Sequence, residues 1–408
     1  MALAMPELPV EIWAAIFQQL VAIDDTPSCR TTLLLVSRSW FQTAIAVHQL
    51  WTHIEVTLAP TTTTNRVLFY LFHCAALPLS VCITILEPSA PAIPNIMHLF
   101  AAHLYRIRLL KLRVSSHEVA EKALELIGAH RPAPILEVLS IDVEALPQGE
   151  SSYWEPYRTT FSSAPRLSHL TIPVFPLPTK ESSQLVHCSS LTHLTIGEIP
   201  YQGIYGTGAV LQLLCAFINL ESFTFKPIDI YCYFDAPDFP IINCARLLSI
   251  DIALPGIGLD ILTKINAPSL TSVRLDTRRE DSLGWEENVL PGGISDALRL
   301  LSRRSPLVRD VELRGTFFRR PEEDYRWLLA EAFPQLQVVK LVGTDITDDV
   351  LAGISRTSSQ LTVFSLQSCI DITQAGVSRF LNSVESTVQL VIEDCPNASS
   401  LPPLSRQY

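Results

Sequence analysis

A short apolar pattern, L-x-x-L-x-L with Ile, Val or Phe as substitutes, recurs through most of the 408-residue chain and constrains its fold more than any other feature. Eleven copies begin at Ile107, Leu136, Leu167, Leu191, Leu220, Leu247, Leu270, Val308, Leu336, Leu361 and Thr387. The smallest interval, 23 residues, separates Leu247 from Leu270, and the largest, 38 residues, separates Leu270 from Val308. Such a period leaves room for one short strand and one return segment in each copy. The pattern therefore predicts a stack of parallel strands.

This period is typical of leucine-rich repeats. We predict an α/β protein in which a small helical module, residues 1–54, precedes a curved leucine-rich-repeat solenoid with a parallel sheet, residues 55–396, and a tail, residues 397–408. Irregular units near residues 54–58 and 79–86 are expected to form the first turns. Helical return segments are expected, such as residues 295–302, which place Leu298 and Leu301 on one face.

The late repeats LVGTDITDDVL, from Leu341, and LQSCIDITQAGV, from Leu366, resemble the cysteine-containing subtype of leucine-rich repeat. Cys369 then stands at the cysteine position, and Gly343 is expected to replace it one repeat earlier. In that subtype the cysteine is buried, so the resemblance implies a structural Cys369.

Composition excludes several classes of protein. A chain with 48% hydrophobic and 17% charged residues is the reverse of a disordered one. The net charge of −11, without a run of more than two basic residues, disfavours nucleic-acid binding through a basic face. No nucleic acid is therefore expected among its partners.

Two uncharged stretches, residues 67–86 and 199–220, are long enough to cross a bilayer. The first is interrupted by Pro78 and the second opens with Pro200 and three glycines, so a helix joined to a buried strand explains each better. The first residues carry no secretory pattern, and the nine cysteines include no C-x-x-C pair. We expect an intracellular protein, cytoplasmic or nuclear, without a membrane span.

The N-terminal residues lack the repeat and show helical patterning instead. A first helix follows Pro9, with Ile12, Ile16 and Leu20 on one face. A polar break over residues 24–30 precedes a second helix, predicted over residues 32–40, and a third, predicted over residues 41–47. About 50 residues are too few to bury this apolar surface internally, so part of it should face the repeats or another protein.

In sequence, the N-terminal segment resembles an F-box, through LPVEIWAAIFQQL, then LLLVSRSWFQTA, then HQLW. The family pattern is matched at Leu8, Pro9, Glu11, Ile12, Ile16, Phe17, Leu20, Val36, Arg38, Trp40, Leu50 and Trp51. Ser37 stands where the family often has Cys, and residues 24–30 make a longer first connection than usual.

The resemblance implies that these residues, Arg38 excepted, bind a Skp-family adaptor and through it the cullin of a ubiquitin ligase. The repeats would then select a substrate protein, since an F-box followed by leucine-rich repeats is the family's order. Such a chain needs no catalytic residue, cofactor or metal. The alternative is a leucine-rich-repeat scaffold outside any ligase, in which the segment caps the solenoid and buries Trp40 and Trp51 against the first repeats.

Motifs for catalysis or metal binding are missing from the sequence. It has no G-x-S-x-G elbow, no H-E-x-x-H, no Walker loop and no G-x-G-x-x-G. His169 and His193 share one position of successive repeats, but the equivalent residues on either side, Val138 and Ser222, cannot complete a metal site. We interpret the two histidines as a surface ladder.

Charge is concentrated between residues 276 and 326, where ten Arg and eleven Asp or Glu occur without a single Lys. Guanidinium groups suit the planar recognition of carboxylates and phosphates, so a binding surface is one interpretation. A solvated insertion whose charges pair with one another is the other. If the solvent-facing side of the late strands binds a substrate, the candidate residues are Arg274, Arg309, Glu312, Arg314 and Lys340.

Overall fold

A computed structural model describes residues 8–23, 27–59, 64–87, 92–128, 131–143, 161, 163–172, 189–197, 207–226, 240–253, 257–277, 291–354, 360–383 and 388–398. These residues divide into two compact units, the first ending at Ser190 and the second beginning at Leu191.

The first unit begins with helices and continues with alternating strands and helices. Its helices are α1 (Val10–Ile23), α2 (Pro27–Leu35), α3 (Arg38–Ala46), α4 (Asn65–His73), α5 (Ala92–Ala102) and α6 (His117–Gly128). Short 3-10 turns occupy His48–Trp51 and Leu104–Arg106. Its strands are β1 (His53–Leu58), β2 (Leu79–Ile85), β3 (Ile107–Val114), β4 (Val138–Val143) and β5 (His169–Ile172).

The second unit repeats the same alternation. Its strands are β6 (His193–Ile196), β7 (Ser222–Phe225), β8 (Ile242–Asn243), β9 (Ser249–Ala253), β10 (Ile265–Asn266), β11 (Ser272–Asp276), β12 (Asp310–Arg314), β13 (Val338–Val342), β14 (Val363–Gln367) and β15 (Gln389–Glu393). Its helices are α7 (Thr207–Ala216), α8 (Ile257–Lys264), α9 (Pro291–Arg304), α10 (Pro321–Trp327), α11 (Asp348–Ile354) and α12 (Gln374–Ser383), and a π-helical turn at Leu328–Ala332 follows α10.

Each unit builds its sheet by pairing strands in parallel. β1 to β5 pair in chain order in the first unit, and β6, β7, β9, β11, β12, β13, β14 and β15 do so in the second. The short strands β8 and β10 pair separately. Along β11, Val273 and Leu275 are buried while Arg274 faces solvent, as the alternation of a strand requires. This register confirms the leucine-rich-repeat fold and the first turns predicted at β1 and β2.

The return segments also agree with the sequence. α9 contains residues 295–302, and both Leu298 and Leu301 are fully buried. The uncharged stretch 67–86 forms α4 and β2, a helix joined to a buried strand, as expected. The stretch 199–220 lies outside the described residues as far as residue 206, and α7 follows. Among the described residues, no helix combines the length and the apolar character needed to cross a membrane.

The predicted second helix is wrong in its bounds. α2 ends at Leu35 and α3 begins at Arg38, so residues 32–40 do not form one helix. Ser37 interrupts them because it takes an extended conformation with φ −160°, and its hydroxyl accepts a hydrogen bond from the backbone N–H of Trp40 at 3.2 Å. Val36 and Trp40 therefore lie on opposite sides of a helix cap.

The expected place of Gly343 in the cysteine-containing repeats is also wrong. Gly343 and Ser368 both have φ near +55°, at 58° and 54°, and each N–H donates to the last strand residue of the following repeat. Gly343 thus corresponds to Ser368, a left-handed turn position that suits glycine. The residue aligned with Cys369 is Thr344, whose Oγ1 lies 3.6 Å from the Cys369 Sγ. Both side chains are buried, which confirms that Cys369 belongs to the core.

A side chain of one repeat fixes the start of the next helix. The Asp348 carboxylate accepts hydrogen bonds from the Thr373 N–H, at 2.9 Å, and from the Thr373 hydroxyl, at 2.5 Å, just before α12. Gly376, in the first turn of α12, lies so close that a Cβ would overlap the Asp348 carboxylate.

The first residues of the predicted tail, 397 and 398, belong to the structured part of the chain. The Asn397 side chain donates a hydrogen bond to the Ile370 carbonyl in the preceding repeat at 2.8 Å. The rest of the predicted tail, residues 399–408, lies outside the described residues.

We expect Gly376→Ala to lower the free energy of unfolding by about 1–3 kcal/mol, because it displaces the carboxylate that caps α12. The matched control is Gly353→Ala in α11, where the nearest atom to a new Cβ is Arg326 Nε at 4.0 Å. That control should gain about 0.5–1 kcal/mol from the higher helix propensity of alanine. Urea unfolding of both variants measures the difference, and equal midpoints would contradict the capping role of Asp348.

Candidate functional site

Four charged residues of alternating sign lie side by side on the solvent-facing side of the sheet in the second unit. Asp251 of β9 is in register with Arg274 of β11, Arg274 with Glu312 of β12, and Glu312 with Lys340 of β13. All four occupy the fifth position of L-x-x-L-x-L, between two buried residues of the same strand. Since neighbouring strands lie about 4.8 Å apart, each of the four side chains is within reach of the next one in the row.

Ion pairs connect this row. The Arg274 guanidinium donates through Nε to Glu312 Oε2 at 2.7 Å and through Nη1 to Asp251 Oδ2 at 3.4 Å. Arg314, the last residue of β12, donates through Nε to Glu312 Oε1 at 2.5 Å. The Lys340 ammonium lies 3.9 Å from the same Oε1. Glu312 thus stands at the centre of three cations.

Asp251 closes the row on the other side. The Lys226 ammonium lies 3.2 Å from Asp251 Oδ2, the oxygen that Arg274 also contacts. The second carboxylate oxygen of Asp251, Oδ1, is buried and accepts no hydrogen bond from the residues that the structure describes. With Lys226 and Arg314, which contact the row from outside it, four cations surround the two carboxylates of Asp251 and Glu312.

A groove of about 400 Å³ surrounds the row. Hydroxyl groups form one side, where Ser222, Ser249 and Ser272 are in register on β7, β9 and β11, and the Ser249 hydroxyl donates to that of Ser222 at 2.9 Å. Asp310 continues this second row on β12. The lining residues are Ser222, Thr224, Ser249, Ile250, Asp251, Ser272, Arg274, Asp310, Val311, Glu312, Val338 and Lys340. Nine of these twelve side chains are polar or charged, and the groove is open to solvent, so a charged ligand can reach it.

The cations set the charge state of Glu312. Burial by itself favours the neutral acid, but the hydrogen bond from Arg314 and the charge of Arg274 outweigh it, so the pKa of Glu312 lies below its usual value of 4.5. Asp310 behaves in the opposite way, since desolvation raises its pKa above the usual value although Arg309 counteracts the shift. Glu312 is therefore ionised at neutral pH and keeps the three cations together.

The structure brings together four of the five residues predicted from the sequence: Arg274, Glu312, Arg314 and Lys340. Arg309 lies apart, because it precedes β12 by one residue, does not line the groove and directs its Nε toward Gln335 Oε1 at 3.4 Å. Asp251, Lys226 and the serine row were missed. Reading the fifth position of every repeat, instead of the late ones alone, would have identified Asp251.

Part of the charged zone pairs internally, as the alternative interpretation expected. Arg299 lies 3.4 Å from Asp324 and 4.5 Å above the centre of the Trp327 ring. Arg320 contacts Glu323 at 3.2 Å on the same helix end. Residues 278–290 of this zone lie outside the described part of the chain.

The predicted adaptor-binding residues fall into three groups. Leu8, Pro9, Glu11, Ile12, Leu20 and Val36 are exposed. Ile16 and Trp40 are partly buried, and Phe17, Leu50 and Trp51 are buried. The exposed group is fully accessible to a partner, while the buried residues hold the helices in place.

Aromatic rings join the helices to one another and to the first repeat. The Trp40 ring lies 4.9 Å from that of Trp13 and 5.0 Å from that of Phe17, which ties α3 to α1. Trp51, only 1% exposed, packs edge-on against Phe69 and Tyr70 around α4, with ring centres 5.3 and 5.4 Å away. The indole N–H of Trp51 donates to the Ala44 carbonyl at 3.0 Å. The helices are thus fixed to the first turn of the sheet.

His169 and His193 keep the register inferred for them, opposite Val138 and Ser222 respectively. Each ring lies 2.9 Å from the hydroxyl of the preceding residue, Ser168 in one case and Thr192 in the other. Over the residues that the structure covers, no group of three or more His, Cys, Asp or Glu is placed to hold a metal ion.

Comparison with known proteins leaves the function open. No protein-family description matches this chain. No curated protein matches it either. The chain is similar in structure to a protein of Bacteroides fragilis, with a TM-score of 0.39, 11% identity and coverage of 76% of this chain and 71% of that one. It is also similar to the leucine-rich repeat-containing protein LegL7 of Legionella pneumophila, with a TM-score of 0.38, 15% identity and coverage of 83% of this chain and 91% of that one. The fold of this chain is established by its own strand register.

We expect Glu312→Gln to lower the free energy of unfolding by about 1 kcal/mol at pH 7, since it weakens three partly exposed ion pairs. Because folding lowers the pKa of Glu312, its ion pairs stabilise the folded state above pH 4.5. This stabilisation is lost as the pH falls through the pKa of Glu312 in the folded state. The difference between the variant and the unchanged protein should therefore shrink below pH 4.5. Urea unfolding at several pH values measures it.

The control is Glu137→Gln, which breaks another Arg–carboxylate pair at 2.7 Å, between Arg108 and a more exposed Glu137. It should change stability by only a few tenths of a kcal/mol, because exposed pairs contribute little. A Glu312 effect that is equally small, or that grows at low pH, would contradict the assigned charge state.

Proposed function

We propose that this protein is the substrate receptor of a Skp–cullin–F-box ubiquitin ligase. In this proposal the N-terminal helices bind the Skp-family adaptor, and the groove of the second unit binds the substrate protein. The chain supplies binding surfaces and no catalytic residue, and it needs no cofactor or metal. A cytoplasmic or nuclear location goes with this role.

The observation that carries the adaptor part is the exposed apolar surface of the N-terminal helices. Eight of the nineteen large hydrophobic side chains exposed among the described residues lie between residues 8 and 41. They are Leu8, Val10, Ile12, Leu20, Ile23, Leu35, Val36 and Phe41. A soluble chain rarely exposes so much apolar surface in one short segment unless a partner covers it. Four of the eight are residues that match the F-box pattern: Leu8, Ile12, Leu20 and Val36.

The way the helices are held supports the same proposal. Arg30 of α2 is buried and donates through Nη1 to the His53 carbonyl of β1 at 2.7 Å. Together with Trp51, this contact fixes the helices before any partner arrives. An interface that is already ordered loses less conformational entropy on binding, which favours affinity.

The alternative, a leucine-rich-repeat scaffold outside any ligase, has one observation in its favour. Trp51 is buried against α4, as a segment that merely caps the repeats requires. Trp40, however, packs on Trp13 and Phe17 of α1 and not on the repeats. Capping therefore accounts for Trp51 and leaves the exposed side chains of α1 without a role.

Replacing Leu8 and Pro9 together with Ala should abolish co-purification with a recombinant Skp-family adaptor, because such interfaces depend on a few apolar anchors. Leu8 is 43% exposed and Pro9 is exposed, so the fold should survive the double change. Circular dichroism and size-exclusion chromatography check the fold, and pull-down measures the adaptor.

The matched control is Phe72→Ala on α4, which removes an apolar side chain that is 81% exposed but outside the N-terminal helices. It should leave adaptor binding unchanged. Retention of the adaptor by the Leu8/Pro9 variant, or failure of the unchanged chain to bind it, would refute the ligase role and favour the scaffold.

A further inference from the structure

We propose that the groove of the second unit binds an acidic side chain of a peptide ligand, at the cations that now surround the carboxylate of Glu312. The inference deepens the proposed function, on which it rests, by naming the chemistry of the substrate segment. In the absence of a ligand, Glu312 acts as a resident anion that competes for the same cations.

The geometry around Glu312 is that of a carboxylate-binding site. Arg314 Nε and Arg274 Nε approach its two oxygens at 2.5 and 2.7 Å, and the Lys340 ammonium lies 3.9 Å away. Charge-assisted hydrogen bonds of this kind are the strong ones, and guanidinium groups match a carboxylate or phosphate in shape. The three cations come from three neighbouring strands, β11, β12 and β13, whose shared register fixes their spacing.

The cations have donors to spare. A guanidinium carries five N–H groups and an ammonium three. Toward the described residues, Arg274 uses its Nε and one Nη1 bond, and Arg314 uses its Nε alone. Lys340 lies too far from Glu312 for a hydrogen bond at 3.9 Å. The side chain of Arg274 is 42% exposed and that of Lys340 36%, so a ligand can reach the remaining donors.

Within the ion pairs around Glu312 and Asp251, the cations outnumber the carboxylates. Four cations share two carboxylates in the row, with Lys226 as the fourth cation. Asp310 also lines the groove, and its pKa is raised by desolvation. Asp276 is in register with Arg314 at the outer edge. Among these cations, Lys340 has the longest contact, at 3.9 Å from Glu312.

The ligand should be a short acidic segment and not a polyanion. The row spans four strands, or about 14 Å, which accommodates one or two anionic groups. The whole chain has a net charge of −11, which repels an extended polyanion such as nucleic acid. The hydroxyl group of Ser272 lies in the groove beside the cations and adds a donor for a carboxylate or a phosphoryl group.

Fluorescence anisotropy with the full chain and three labelled twelve-residue peptides tests the proposal. One peptide carries Asp and Glu, the second carries Asn and Gln in their place, and the third is the second with one phosphoserine. We expect binding of the acidic or the phosphorylated peptide, weakened by salt, and no binding of the neutral one. Which of the two anionic peptides binds more tightly identifies the source of the charge. Equal binding of all three, or of none, would overturn the proposal.

Two variants locate the site. Arg274→Ala combined with Lys340→Ala should weaken the anionic peptide at least about tenfold, since each change removes charged hydrogen-bond donors. The control Arg309→Ala removes one positive charge from a side chain outside the groove and should leave affinity unchanged. Equal losses in both would show a general charge effect and overturn the assignment.

Glu312→Gln tests the resident anion directly. The change keeps the size of the side chain but removes the competing charge, so the anionic peptide should bind at least about threefold more tightly. An unchanged or weaker affinity, in a variant that circular dichroism shows to be folded, would overturn this part.

Adaptor pull-down with the same proteins separates the two proposals. If the unchanged chain retains the adaptor but binds no anionic peptide, the acidic ligand is rejected and the ligase role stands. Peptide binding by a chain that never retains the adaptor rejects the ligase role and leaves the groove as a binding site of a scaffold.

Discussion

The burial of three apolar side chains per repeat, each packed against the repeats before and after it, is the constraint on which both units depend. In β11 and β12, for example, Val273 lies in register with Val311 and Leu275 with Leu313, all fully or almost fully buried. Because a single repeat cannot cover its own apolar face, stability comes from the neighbours. The same parallel register that aligns the buried residues aligns the residues between them on the other side of the sheet.

That second alignment creates the groove. Residues far apart in the chain, such as Asp251 and Lys340, lie three strands apart on one surface. Strand pairing also contributes to the lowered pKa of Glu312, since Arg274 of the adjacent strand β11 adds its charge to the hydrogen bond from Arg314 of β12. Apolar packing on one side of the sheet thus organises electrostatics on the other, which links the repeat to the proposed ligand-binding surface.

The N-terminal helices are stabilised differently, by contacts with the first strand and α4. Fifty residues provide too little core for independent stability, so Trp51 and Arg30 are buried where the helices meet the first strand and α4. Ser37 divides two helices that the apolar pattern merged, because a hydroxyl cap at that position satisfies an N–H that a continuous helix would have bonded elsewhere. What remains exposed on α1 and α2 is apolar and is the surface on which the proposed adaptor contact rests.

The sequence by itself determined the repeat, the parallel strands and the division between buried and outward positions, because a strand alternates sides with a period of two. It also indicated Arg274, Glu312, Arg314 and Lys340 as solvent-facing candidates for binding, since the repeat pattern alone gives their positions on the strands. Only the tertiary structure decided that Arg309 lies outside the groove and that Lys226 reaches Asp251, because ion pairs depend on which side chains meet across strands. It also decided that Trp51 is buried in the core and that Leu8 is exposed at the surface, since burial depends on what packs against each residue and not on its own chemistry.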